Sequence, residues 1–399
     1  MTLFKNKVFL TIIATDIIQQ MAIWIRNLAI MFFVMDVTNG DPLAISTLNV
    51  IEYVPMFLLT FIGGMIADRY NPKRIMLLGD SLSFISFVIL GFFISKDHVY
   101  LIFIAVLVSA IITQFSMPAS QKYFKEYVEE KDVETAIGIA QMLGSLFFVI
   151  GPFLGSFFYF NFGIDKTLII ISALFVISIL LILTLPNKKF PVIENRGYFN
   201  DIKLTFRYLK KKPQLYTLIK VFFIVSFSIG IANNLDIFLV TRRLGLSEEF
   251  YQFFSGVAGI GVVVGGALYL WLSKYFKTMK IVYVMLCIFA VTVFIEGYST
   301  IPTLTIILQF IDNVIGGLLS GFIMAYITKA TDQEYLGKVN GLTSTLMYMG
   351  MMGGIVSSGF IMKEYSIVAA FGVASIAFII ASIVSFVGFR AQKRDVSNM

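Results

Sequence analysis

Residues 63–76 read GGMIADRYNPKRIM. Two glycines close an apolar run, and an acid and an arginine follow. Asn71-Pro72 then turns the chain, and Lys73 and Arg74 lead into the next apolar run. Gly63 and Gly64 allow two helices to approach closely, and the Asn-Pro pair supplies a turn. Asp68 stands where one apolar run ends, placed to accept from the N-terminus of a neighbouring helix. The cations by themselves need nothing beyond an ordinary charged connection between membrane spans. The ordered series Gly-Gly-x-x-x-Asp-Arg-x-x-Pro-Lys-Arg asks for more, so the flanking segments have to be placed first.

Composition makes lipid the solvent. Of 399 residues, 58% are hydrophobic and 14% are charged, and the mean hydropathy is +0.86. Soluble domains carry nearer a quarter charged residues. A bilayer crossing takes about 20 apolar residues. Twelve segments meet that length, near 8–35, 43–67, 75–94, 99–118, 135–160, 167–185, 214–240, 250–272, 281–299, 302–327, 338–361 and 366–389. The first is too long for a signal-peptide core and lacks a small-residue cleavage site behind it, so it is expected to stay in the chain.

The cations sort by side. In an alternating twelve-span plan, 24 of the 31 Lys and Arg fall in connections on one side. Five lie on the other (Lys96, Lys166, Arg242, Arg243 and Lys363), and Arg26 and Lys220 lie within spans. This asymmetry predicts that both termini are cytoplasmic. It also explains the net charge of +7 through anionic lipid at the inner surface, with no nucleic-acid partner.

The longest polar stretch, 186–213, holds eight cations and divides the spans six and six. The domain plan is therefore a bundle over 1–185, a basic linker over 186–213 and a second bundle over 214–399. Within the linker, YFNDIKLTFRYLKKK is either a basic amphipathic helix on the membrane surface or a solvated connection. A shift of 203 residues carries Gly63 onto Gly266, Gly138 onto Gly341 and Gly151 onto Gly354. Three matches at one offset point to two parallel six-helix halves, an arrangement common in secondary transporters.

With that plan in place, the opening stretch resembles the signature loop of the major facilitator superfamily, roughly G-x-x-x-D-R-x-G-R-[RK]. Gly64, Asp68, Arg69, Lys73 and Arg74 match, while Tyr70-Asn71-Pro72 fills the middle, where the pattern prefers a glycine. The resemblance implies an all-α membrane protein of twelve transmembrane helices in two pseudo-symmetric six-helix bundles, with the loop as a gating latch. Span five reads GSLFFVIGPFLGSFF, and its Gly144, Gly151, Pro152 and Gly155 resemble the antiporter motif G-x(6)-G-P-x-x-G of the superfamily's exporters. Small residues there permit tight helix contact and the proline permits a kink, which a plain packing helix also uses. Residues 117–138, MPASQKYFKEYVEEKDVETAIG, look like the Pro-Ala turn and acidic loop of the macrolide-efflux and siderophore-exporter branch. One departure is Ser109, which stands where many drug–proton antiporters carry a span-four arginine. The implied protein is a proton-motive-force-driven exporter of small lipophilic or cationic compounds, without cofactor, monomeric, in a bacterial cytoplasmic membrane. A carrier for a specific metabolite, siderophore or lipid is the alternative on the same fold.

Ionisable groups at membrane depth are costly and point to function. At ~1.5 Å per residue, Asp16 lies ~12 Å from the inner end of span one. Arg26 and Glu52 each lie ~14 Å from the outer ends of their spans. Their similar depth on adjacent helices makes a buried pair, serving either packing or transport. Asp312, ~15 Å into span ten beside Gln309 and Asn313, is the hardest to explain by snorkelling. Asp16, Glu52 and Asp312 are the candidates for substrate or proton contact. Asp236, nearer an outer end, is explained as well by interfacial solvation, and Asp80 reads as shallow.

Other chemistries lack residues. The lone cysteine, Cys287, excludes an intrachain disulfide and cysteine metal clusters. The lone histidine, His98, reads as a loop residue. No G-x-x-x-x-G-K-[ST] phosphate loop is present, and no nucleophile–His–acid set. An enzyme is not expected, nor a bound metal, and no filter loop suggests a channel.

Overall fold

In the computed structural model of the chain, the described residues are 3–94, 99–187, 198–275 and 280–397, with side chains described except at 60–69, 99, 117, 125, 198–202 and 389–397. His98 lies outside them, as do the side chains of Gly64, Asp68 and Arg69.

The helices are α1 (Lys7–Val37), α2 (Pro42–Arg69), α3 (Pro72–Phe93), α4 (Val99–Tyr127), α5 (Glu130–Thr184), α6 (Tyr198–Lys211), α7 (Pro213–Phe238), α8 (Tyr251–Leu272), α9 (Lys280–Tyr298), α10 (Pro302–Ala330), α11 (Leu336–Glu364) and α12 (Ile367–Ser397). Eleven of them are long and apolar enough to cross a membrane, and α6 is not among these. α5 holds two spans. Its 55 residues bend at Gly163, whose φ of 71° leaves the helical region. Only glycine adopts that left-handed geometry without steric cost. The Thr167 hydroxyl closes the corner by donating to Gly163 O at 2.6 Å or Phe158 O at 3.0 Å.

Local chemistry sets the helix starts. Asn6 accepts from the backbone N–H groups of Val8 and Phe9 and so caps α1, as side-chain oxygens do at free N-termini. Its amide also donates to Tyr127 O at 2.6 Å, tying α1 to the end of α4. Asn71 caps α3 through Lys73 N, with Pro72 at the first position, where its missing N–H costs nothing. The expected Pro-Ala turn does not form. α4 continues through Pro118 to Tyr127. Tertiary burial holds this extension, since Tyr123 and Phe124 sit in a cluster with Phe9, Met76 and Ile182. A proline inside a membrane helix is tolerated when neighbours compensate in this way.

The chain divides into two compact units, Met1–Asn195 and Arg196–Met399. In the first, α1 packs on α5, α2 on α4, and α3 on both α4 and α5. In the second, α7 packs on α11 and α12, α8 on α10, and α9 on α12 and α10. The pairing scheme repeats, and the offset of 203 holds at the contacts themselves. A Cβ on Gly151 would press into the Trp24 ring, 2.5 Å from Cγ, and one on Gly155 would meet Leu28. A Cβ on Gly354 would strike Phe227 O and come within 2.9 Å of Ile231 N. The same shift that carries Gly151 onto Gly354 carries Trp24 onto Phe227 and Leu28 onto Ile231.

The basic stretch after residue 197 forms α6, packed on α7 and α11 in the second unit. Tyr208 stacks on Tyr335 at 4.1 Å between ring centroids. Lys212 donates to Asp332 Oδ1 at 2.7 Å and to Ala330 O at 3.0 Å, closing the end of α10.

Candidate functional site

A cavity of about 400 Å³ opens within the first unit, a size that accommodates small organic ligands. α1 contributes Asp16, Gln20 and Trp24; α4 contributes Thr113, Ser116 and Gln121; and α5 contributes Gln141, Gly144 and Phe148. Its lining combines these polar groups with aromatic and aliphatic side chains. Asp16 has no hydrogen-bond partner among the described residues, so its carboxylate is open to a ligand. Asp80 also lines the cavity but is committed. It is only 2% exposed, and it accepts from Gln19 Nε2 at 2.8 and 3.0 Å and from the Ser178 hydroxyl. Asp80, which reads as shallow from its span end, is thus enclosed by neighbouring helices. Position along a helix measures depth alone, and here α1 and the second arm of α5 close over the group with donors.

The four residues of the antiporter-like motif divide into two roles. Gly151 and Gly155 face α1, and Pro152 is buried beside them. Gly144 instead borders the cavity, with nothing within 4 Å of where a Cβ would stand.

Deeper in the same unit, Arg26 is buried and fully engaged. It pairs with Glu52 Oε1, donates to Ser109 Oγ at 2.6 Å, and reaches Asn27 Oδ1 from Nε at 2.8 Å and Nη2 at 2.5 Å. Planar guanidinium donors suit such a multi-acceptor site. α1 thereby delivers to Ser109 a positive charge that α4 does not carry at that position.

The loop that opened the sequence reading is anchored. Lys73 Nζ donates to Leu183 O at 2.8 Å and Leu185 O at 2.5 Å, at the C-terminus of α5, where a cation complements the helix dipole. Asn71 Nδ2 donates to Asn187 Oδ1 at 2.8 Å. Arg74 is exposed.

The second unit holds a buried acidic cluster. Asp312 is 3% exposed and Glu296 2%, and the Thr292 hydroxyl donates to Asp312 Oδ1. Asp236 is 8% exposed and accepts from Gln309 Nε2 at 3.2 Å. Interfacial solvation, the simpler sequence account of Asp236, is thus replaced by enclosure. Glu296 escaped sequence reasoning because it lies two residues before the end of α9. Its enclosure comes with close packing by a helix remote in sequence: Phe371 of α12 sits where a Cβ on the adjacent Gly297 would be. An acid inside VTVFIEGY was the available signal. Among the described residues, no group of three or more His, Cys, Asp or Glu is placed to hold a metal.

Two compact helical units with eleven helices long and apolar enough to cross a membrane are the architecture of a multi-pass membrane protein. The chain belongs to the Major Facilitator Superfamily, whose profile matches residues 12–295 and 232–398. It is 26% identical over 361 residues to the uncharacterized MFS-type transporter YkuC of Bacillus subtilis, covering 87% of this chain and 84% of that one. It is 21% identical over 369 residues to macrolide efflux protein A of Streptococcus pyogenes, with 88% of each covered. Among solved structures, the nucleoside transporter NupG aligns with a TM-score of 0.73 at 17% identity, over 96% of this chain and 99% of that one. An inward-facing bacterial homolog of the lysosomal transporter Spinster aligns with a TM-score of 0.73 at 16% identity, over 98% of each.

Proposed function

We propose that the chain exports small lipophilic or cationic compounds, macrolide-type drugs among them, in exchange for protons by alternating access. The observation that carries this reading is the cavity of the first unit, which Asp16 lines together with Trp24, Phe148 and other apolar side chains. A carboxylate in a largely apolar pocket attracts a lipophilic cation by charge and holds it by contact area. The distant likeness to macrolide efflux protein A supports the substrate class. Arg26, held at Ser109 by Glu52, supplies the charge that proton antiporters of this resemblance carry on span four. Asp68 and Arg69 form the latch, with Lys73 fixing its far side to α5. The protein works as a monomer in a bacterial cytoplasmic membrane, with its termini and the α6 connection on the inner side and lipid around it.

A second reading has its own support. Gln20, Gln121, Gln141, Thr113 and Ser116 line the same cavity, and amides and hydroxyls suit a polar metabolite, a siderophore or a lipid headgroup. The test is accumulation of a lipophilic cation and of a macrolide in cells expressing the chain, with and without a protonophore, beside Asp16→Asn and Asp68→Asn. Lower accumulation that the protonophore and both substitutions reverse, with normal membrane insertion, supports proton-coupled export. Unchanged accumulation of both compounds discards drug export in favour of the second reading. Unchanged efflux in Asp68→Asn removes the latch role alone.

A further inference from the structure

Glu296 of α9 and Asp312 of α10 are both almost wholly enclosed, and Glu296 stands one helical turn from Thr292, the α9 residue whose hydroxyl reaches Asp312. Asp312 Oδ1 accepts from the Thr292 hydroxyl. Asp312 Oδ2 and Glu296 Oε1, both buried, have no hydrogen-bonding partner among the described residues. An ionised carboxylate only accepts, so two of them cannot bond to each other. A buried acceptor left without a donor carries the full cost of its desolvation.

Among the described residues, no cation interacts with the pair. α7 presents Asp236, a further acid, occupied by Gln309. α8 presents Tyr251, whose hydroxyl bonds Ser255 near Asp236. α12 packs on α9 with Phe371 and Phe378, and its Ser375 donates to Ala290 O. Asn313 of α10 turns back to Gln309 O. Arg243, which reaches the end of α9, is engaged by the carbonyls of Tyr298 and Ser299.

We infer that Glu296 and Asp312 share a single proton, making the α9–α10 contact a proton-binding site in the second unit. One proton taken from water turns two negative charges into one and gives the facing carboxyls the donor they lack. The dyad is separate from the cavity of the first unit, none of whose lining residues comes from α9 or α10. Its use as the coupling site rests on the proton-antiport reading above, whereas its occupancy by a proton does not.

The test is infrared difference spectroscopy of the purified full-length protein at neutral pH, subtracting Glu296→Gln and Asp312→Asn from the wild type. A shared proton gives one protonated-carboxyl band, and either substitution alone removes all of it. The new amide N–H then serves the remaining carboxylate, which ionises. Two bands, each lost in only one variant, overturn the shared proton. No band, together with sodium binding by calorimetry that both variants abolish, overturns it in favour of a metal cation. Should either variant fail to fold, Thr292→Val keeps both acids and removes one donor. The band then shifts in frequency, and an unmoved band shows that it does not arise from Asp312. A shared-proton band in a protein without drug efflux sinks the export reading and leaves the site. Protonophore-sensitive efflux without the band does the reverse.

Discussion

Removing Glu52 should destabilise the protein more than removing Arg26, and removing both should restore it. The Arg26 side chain is 4% exposed and that of Glu52 is 20%. In Glu52→Gln the guanidinium stays in a dry site with only the neutral oxygens of Ser109, Asn27 and the new amide around it. In Arg26→Met the stranded carboxylate is one-fifth exposed, so water compensates part of the loss. Breaking a buried ion pair from one side costs about 3–5 kcal/mol, with Glu52→Gln toward the upper limit and Arg26→Met toward the lower. At about 1.4 kcal/mol per tenfold, the unfolding equilibrium moves by roughly two to three and a half orders of magnitude. Replacing both partners by apolar residues of similar volume, Arg26→Met with Glu52→Leu, is expected to fall within about 1 kcal/mol of the wild type. Thermal unfolding in detergent, followed by tryptophan fluorescence, reads this directly, since Trp24 lies on α1 two residues from Arg26. Efflux in the double variant then separates the roles. A stable, inactive protein places the pair in the transport path, and a stable, active one makes it packing. A double variant as unstable as the two single losses added together would refute the reasoning.

Gly151→Ala forces α1 away from α5 at Trp24 and should cost about 1–3 kcal/mol through overpacking. Calorimetry should also show most of the loss recovered in Trp24→Ala/Gly151→Ala. Gly163→Ala places a side chain at a φ of 71°, with an expected cost of about 1–2 kcal/mol, measurable as a lowered unfolding temperature with α5 still inserted. Outside the membrane, the hydrogen bond from Lys212 holds the Asp332 carboxyl below its ordinary 3.8, and the same bond holds the Lys212 amine above its ordinary 10.5. Their contact is therefore complete between about 3.8 and 10.5. It is lost as pH falls through the lowered Asp332 value or rises through the raised Lys212 value. Hydrogen exchange in α6 should accelerate at both extremes, and Asp332→Asn should abolish the acid limb and, because the Lys212 shift has the same cause, move the base limb to lower pH.

Long apolar runs carry their own boundaries, so most span limits read from hydropathy fall within a few residues of the helix ends, except where polar residues extend a helix, as at the C-terminal ends of α4 and α12. The run 302–327 became Pro302–Ala330, and 250–272 became Tyr251–Leu272. The bend at Gly163 was readable as the gap between two apolar runs. The extension of α4 past Pro118 was not, because Phe9, Met76 and Ile182, far away in sequence, hold it. The same limit governs the charged residues. Arg26 and Glu52 share a depth, which arithmetic along each helix supplies, and they meet. Asp80 and Glu296 lie near span ends, where the same arithmetic calls them accessible, yet both are buried, Asp80 against Ser178 and Glu296 beside the α9–α12 contact of Gly297 with Phe371.

The paired glycine contacts differ in what fills the notch, and that difference bears on how each half tolerates mutation. On Gly151 the occupant is the indole of Trp24, which a second substitution can trim. On Gly354 it is the backbone carbonyl of Phe227, which no codon change can shorten. A lesion at 151 is thus open to intragenic suppression at its own contact. A lesion at 354 is not, so reversion there must restore the glycine or move a whole helix. One duplicated architecture leaves its two copies with unequal freedom to vary.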